Sequence, residues 1–391
     1  MTKTDAMNYL ESYVIKERHF LHQYPEPGFL VASTHDHILH ELEKMGIKSI
    51  PHIGKNSLLG IIENGIGPSI GLRADIDALP LQEQNSGLEY CSKNPGFMHA
   101  CGHDAHTAML LGAAKYLVEH KQEWSGTVKL IFQEAEEGPN PGGAKALVDS
   151  QLLDDVVMFF ALHVSPDYPT GHFAMKKGAA FASVVTFRIN LLGMGCHAAS
   201  PDKGIDPIIM ASEVISELQT IVSRKLPVFD KAVISVTQVH AGTTHNIIPD
   251  RAFLEGTIRY FTPAAKQLIK AGIEGILEGV KIRHKANYEF EFIEEYSTVT
   301  NTKEAFDHFH EVALATFGPD SFTELSQPSM GGEDFFRYAD LSQGCIAWIG
   351  TRKDESTAYS LHNPRFNIDE DALIMGVTQL VALVREFQRR K

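Results

Sequence analysis

The densest run of reactive side chains in this sequence is His99-Ala100-Cys101-Gly102-His103-Asp104-Ala105-His106. Cys101 and His103 are two residues apart, so in an extended segment both face one side. A thiolate and an imidazole together suit zinc or another first-row divalent metal. Taken alone, a Cys-x-His is more often a buried cysteine beside surface histidines, and no second cysteine pair at zinc-finger spacing accompanies it. Two further features shift the balance. Gln133-Glu134-Ala135-Glu136-Glu137-Gly138 follows an apolar strand, and adjacent carboxylates there point different ways. One can ligate a metal while the other serves as general base. A second apolar strand, Val156 to Leu162, ends in His163.

The elements that must position these groups alternate. Strands are expected at Ser69–Arg73, Gly126–Phe132 and Val156–Leu162, with helices over about 104–121 and 142–151. Such alternation implies a largely parallel sheet covered on both faces, with sites at the C-terminal strand ends. All three features above fall there. Two short strands flanking Asn64-Gly65-Ile66-Gly67 read as a hairpin. From residue 183 to 297 the order becomes βαββαβ, the ferredoxin-like split unit. Strand and helix then alternate again to the end. The expected fold is α/β, a mostly parallel sheet with helices, in two pieces (1–182 and 298–391). An α+β domain (183–297) is inserted between them.

Composition bounds the function. With 391 residues the chain is long enough for two domains and an enclosed site. A net charge of −14 disfavours nucleic acid and anionic membrane as partners, and the basic tail Arg389-Arg390-Lys391 is too short to change that. No apolar run reaches the ~18–20 residues of a membrane span. The start lacks the pattern of a secretory signal. Four cysteines are too few for a disulfide scaffold, so a cytoplasmic, thiol-reducing location is expected.

Several motifs in order carry a resemblance: Leu72-Arg73-Ala74-Asp75-Ile76-Asp77-Ala78-Leu79-Pro80, His99 to His106, Glu136-Glu137, Leu162-His163-Val164, Gly195-Cys196-His197-Ala198-Ala199, Asn246-Ile247-Ile248-Pro249 and Leu361-His362-Asn363. Over essentially its whole length the chain resembles the aminoacylase/carboxypeptidase family of two-metal hydrolases. The branch is that of bacterial N-acyl-amino-acid amidohydrolases and plant indoleacetyl-amino-acid hydrolases. The resemblance implies two divalent ions per subunit (zinc, manganese, cobalt or nickel). It makes Cys101 the bridging ligand, His103 and His163 terminal ligands of one ion, and Glu137 and His362 those of the other. It makes Glu136 the general base on a metal-activated water, and Asp75 a carboxylate that orients a ligand. His197 is implied to stabilise the oxyanion in the partner subunit's site, and Asn246 and Arg259 to bind substrate. The planar fork of Arg259 suits a carboxylate. The inserted domain is implied to act as lid and homodimer interface.

The activity so implied is hydrolysis of an N-acyl (acetyl, benzoyl or similar) amino acid to a carboxylate and a free amino acid. The alternatives are a carboxypeptidase or dipeptidase acting on small peptides, a non-catalytic sensor of an amino-acid derivative, and a thiol hydrolase using Cys101. Relatives usually carry Pro at position 134 and Gly at 196. The carboxylate of Glu134 is therefore expected near the metals, raising the pKa of Glu136 or biasing substrate charge. Gly331-Gly332-Glu333-Asp334-Phe335 is expected to position His362 or the substrate.

Overall fold

The computed structural model describes residues 3–388; the basic tail lies outside the described residues. The chain forms two compact units. One comprises residues 1–180, 300–328 and 334–391; the other comprises 181–299 and 329–333.

The larger unit is built on an eight-stranded sheet. Its spatial order is Lys48–Ile53, Ser57–Asn64, Gly126–Gln133, Ser69–Asp75, Val156–Pro169, Gln343–Arg352, Phe173–Met175 and Phe322–Glu324. The four central strands run parallel. Their apolar runs are nearly unbroken because both faces are covered: every residue of Ser69–Asp75 is buried. Leu72, Leu130 and Phe160 lie in one core with Met109, Leu110, Ala113 and Leu117 of the helix His103–Glu119. That helix lies against the helices Lys3–Gln23 and Asp371–Gln388. Burying each large apolar side chain is worth roughly 1.5–3 kcal/mol, so the helix carrying His103 is held by its apolar side.

Two sequence expectations fail here. The Asn64–Gly67 turn does not close a hairpin. Ser57–Asn64 pairs antiparallel with Lys48–Ile53 on one side and with Gly126–Gln133 on the other. The distant strand Gly126–Gln133 thus separates the two strands that the turn joins. The strand carrying His163 does not stop there either; it runs on to Pro169, with His163 opposite Trp348. The turn chemistry was read correctly, but pairing was decided by burial of the central strands rather than by proximity along the chain.

In the smaller unit the strands Ser183–Leu192, Ala232–Ala241, Arg251–Tyr260 and Asn287–Tyr296 form one antiparallel sheet. The first strand lies between the third and the fourth, which is the ferredoxin-like order. Burial along Arg251–Tyr260 alternates strictly, so one face meets the helices Pro207–Thr220 and Pro263–His284. Both helices begin with proline after a capping side chain. Asp206 accepts the N–H of Ile208 at 2.8 Å, and Thr262 accepts that of Ala265 at 3.1 Å. The short segment Ser329–Glu333 belongs to this unit, although the sequence reading assigned it to the other. The N–H of Ala182 donates to the carbonyls of Ser329 and Gly331, both at 3.1 Å. Among the described residues, no helix is long and apolar enough to cross a membrane.

Candidate metal centre

Three loops of the larger unit converge. The first is the turn before His103–Glu119. Gly102 takes a left-handed backbone (φ 81°), and a Cβ there would stand 2.2 Å from Val164 Cγ2. Only glycine fits, and the turn sets Cys101 before the helix and His103 on its first turn. The pair is therefore not in the extended segment the sequence suggested. The donors still meet: Cys101, His103 and His163 present atoms within 4.8 Å of one another. The Nδ1 of His163 lies 2.9 Å from the carbonyl of Val164, which leaves Nε2 3.5 Å from Cys101 Sγ.

The second loop carries the glutamates. Ala135 also has a left-handed backbone (φ 52°). Such strain in a non-glycine residue costs on the order of 1–3 kcal/mol and clusters at functional sites. The kink sends the carboxylates apart. Glu134 is fully buried and accepts the backbone N–H groups of Lys55 and Asn56, both at 2.9 Å. It braces a turn, which corrects the expectation that its charge would stand beside the metals. Glu136 and Glu137 join His103 in another group of donors within 4.8 Å.

The third loop brings His362, also left-handed (φ 64°), whose N–H donates to the carbonyl of Ala100 at 2.8 Å. Its Nε2 lies 2.8 Å from Glu137 Oε1. Cys101, Glu137 and His362 again lie within 4.8 Å of one another, so Cys101 is common to both sets of would-be terminal ligands.

The surrounding carboxylates include one that sequence reasoning missed. Asp77 accepts the N–H of Glu136 at 3.0 Å and of Glu137 at 3.1 Å, and lies 3.4 Å from His103 Nδ1. The Asp-x-Asp repeat at 75–77 was the available signal. Asp75 accepts from Arg73 at 2.7 Å and from His106 Nδ1 at 2.6 Å. His106 Nε2 in turn accepts the N–H of Val164, next to His163, at 2.9 Å. His106 was also passed over. Asp334 braces the same strand ends through Arg73 at 3.0 Å and Gln133 at 2.8 Å, rather than contacting His362 directly.

This donor set fits a divalent cation. Both ring nitrogens of His103 are buried without a hydrogen-bond partner. Burial works against charging that ring, yet Asp75, Asp77 and Glu137 push its pKa up to about 10, so the cavity draws positive charge. Burial, with Glu137, Glu136 and Asp75 nearby, pushes the Cys101 thiol well up. A thiolate there requires a cation to offset those charges. His163 stays neutral, first through burial and then through His106, as a ligand must.

In the smaller unit, His197 and Asn246 come together on a two-residue ladder that pairs Cys196–His197 with Ile247–Ile248. The N–H of Ala199 donates to His197 Nδ1 at 3.0 Å, so the neutral ring carries its proton on Nε2. Thr244 donates to Asn246 Oδ1 at 3.1 Å, leaving the amide NH₂ as donor. Arg259 is half-buried, bonded through Nε to the Met330 carbonyl at 3.1 Å and through Nη1 to Thr257 and the Ile258 carbonyl.

A carboxylate–imidazole–thiol cluster at the ends of a parallel sheet fits a metal-dependent hydrolase. The chain belongs to the peptidase family M20/M25/M40, whose model matches residues 71–386. It is 39% identical over 365 residues to the N-acetylcysteine deacetylase of Bacillus subtilis (strain 168), covering 93% of each chain. It is 34% identical over 385 residues to the thermostable carboxypeptidase 1 of Saccharolobus solfataricus, covering 97% of each. Among solved structures it is similar to a dinuclear metal-binding M20 peptidase from Bacillus subtilis. That match has a TM-score of 0.85 and 34% identity, and covers 98% of this chain and 100% of the other.

Proposed function

We propose that this chain hydrolyses the amide bond of an N-acyl amino acid, releasing a carboxylate and a free amino acid. The observation that carries the reading is the convergence of Cys101, His103, Glu137, His163 and His362, with Glu136 alongside. Cys101 would hold two divalent ions in common, His103 and His163 one of them, Glu137 and His362 the other. Zinc, manganese, cobalt or nickel suits a thiolate-containing set. When bound, such ions polarise the amide carbonyl and acidify the attacking water.

The protein's own groups do the rest. Glu136, its backbone held by Asp77, takes the proton of the water and passes it to the leaving nitrogen. His197 offers an N–H on Nε2 to the oxygen that gains charge, and Asn246 offers its amide. Arg259 is proposed to bind the substrate carboxylate. The smaller unit is proposed as lid and homodimer interface, with His197 of one chain serving the site of its partner. Supporting the interface, Ala232–Ala241 is an edge strand of its sheet and exposes Val233 and Val239. Four free cysteines agree with a cytoplasmic location.

Glu136→Gln is expected to abolish turnover of an N-acetyl amino acid with metal content unchanged; most activity surviving would overturn the mechanism. Mixed dimers of His197→Ala and Glu136→Gln chains are expected to regain activity. Similarity to a carboxypeptidase supports a second reading, cleavage of a small peptide. Faster turnover of unblocked dipeptides than of N-acetyl amino acids would select it.

A further inference from the structure

A second group of metal-binding side chains lies outside the catalytic donor set. Glu17 stands on the helix Lys3–Gln23, and His37 and Glu41 stand on the helix Ala32–Lys44. Their donor atoms lie within 4.8 Å of one another. His37 and Glu41 are four residues apart, so they share one helix face, and Glu17 faces them from the neighbouring helix.

The group differs from an ordinary surface charge cluster in its burial. The Glu17 side chain is 2% exposed and that of Glu41 8%, whereas His37 at 17% leaves a path to solvent. Glu17 Oε2 lies 2.6 Å from His37 Nε2. Glu17 Oε1 has no donor within hydrogen-bond distance among the described residues, and Lys16 Nζ stands 3.9 Å away with its side chain in solvent. Two buried carboxylates thus share one imidazole and a largely exposed Lys44, which reaches Glu41 Oε1 at 2.6 Å. Lys44 offsets the charge of Glu41, so the buried charge left to a further cation is that of Glu17, whose hydrogen-bond partner is His37; burying such a charge is costly unless a cation offsets it.

The neighbours also fix the donors in place. Tyr13 donates to Glu41 Oε2 at 3.1 Å. The ring of Phe20 stacks on His37 with centroids 4.0 Å apart. A zinc ion takes imidazole and carboxylate donors at about 2.0–2.2 Å, a radius at which donors stand roughly 3.3 Å apart around a tetrahedron. The Glu17 Oε2 to His37 Nε2 separation of 2.6 Å is shorter than that, so these two side chains would move apart to admit the ion.

We propose that Glu17, His37 and Glu41 form an additional divalent-cation site, suited to zinc, that joins the first two helices. An imidazole with two carboxylates selects zinc over magnesium, which prefers oxygen ligands and retained water. The ion cross-links the helices and stabilises the larger unit by binding the folded state alone.

The test uses purified holoenzyme equilibrated with buffered Zn²⁺, comparing wild type with Glu17→Gln and His37→Asn. Metal per chain is measured by mass spectrometry, alongside the thermal midpoint with and without added zinc. Wild type is expected to hold one more zinc per chain than either variant. Its midpoint is expected to rise by several degrees with zinc, the variants' midpoints to stay put, and turnover to be equal in all three. Equal zinc content and equal midpoint response in all three would overturn the proposal. So would a variant that loses zinc and turnover together, because the lost ion would then be catalytic.

Discussion

Replacing Arg18 by alanine should destabilise the protein far more than an ordinary helix substitution. The guanidinium is 1% exposed and bonds four partners from three parts of the chain. Nε meets Asp104 at 3.3 Å, Nη1 meets Glu370 at 2.7 Å and Tyr90 at 3.4 Å, and Nη2 meets Asn367 at 2.8 Å. Removing one partner of a buried ion pair typically costs about 3–5 kcal/mol, because the other charge stays buried. Asp104 keeps His22 at 2.8 Å, and Glu370 is partly exposed, so the lower end, about 3 kcal/mol, applies. At roughly 2–4 °C per kcal/mol this is a fall of about 6–12 °C in thermal midpoint. A double-mutant cycle with Asp104→Asn should give a coupling above about 1 kcal/mol. Asp104 directly follows His103, so Arg18→Ala should also weaken metal retention. A midpoint shift under about 2 °C, or strictly additive mutations, would refute the reasoning.

Three more outcomes are expected. His106→Leu removes the imidazole from Asp75 Oδ1 and from the Val164 N–H, so metal affinity should fall about 10–100-fold, measured by competition with a chelator; unchanged affinity would contradict the positioning role. Glu134→Gln should lower the thermal midpoint with kcat within about twofold of wild type, since its carboxylate braces Lys55 and Asn56; a tenfold loss of kcat at an unchanged midpoint would return it to the chemistry. Burial works against charging His22, but Asp104 and Glu83 raise its pKa. Its contribution to stability is thus fully present below about pH 6.5 and is lost as pH rises through the raised folded value. Denaturation of wild type and His22→Gln across that range should show their difference shrinking; a growing difference would refute the assignment.

The candidate donors on the first two loops were legible because ligand chemistry is local, whereas His362 came only from the resemblance. Cys101 and His103 are near neighbours, Glu136 and Glu137 are adjacent, and apolar strands announce the positions just beyond them. What escaped acts through the backbone or through distant pairing. Asp77 holds two amide N–H groups, and His106 holds one, so neither is distinguished by residue type from an ordinary polar neighbour. The position of Glu134 depended on the left-handed turn at Ala135, which nothing in an alanine signals. The hairpin expectation failed because Gly126–Gln133, distant in sequence, enters between two strands joined by a convincing turn. The βαββαβ order was legible because Ser183–Leu192 and Arg251–Tyr260 alternate and both helices open on a capping side chain followed by proline.

The five-residue segment Ser329–Glu333 bears on synthesis. The smaller unit lacks its last piece until residue 333 has been made, 34 residues after Val299. At about 5–20 residues per second, the ribosome delivers that strap roughly 2–7 seconds after the last strand of the four-stranded sheet. In that interval the N–H of Ala182 and the Nε–H of Arg259 have only water to bond. A nascent chain halted before residue 329 therefore carries the sheet and both its helices with the arginine held through Nη1 alone, and an excised 181–299 fragment keeps that defect permanently.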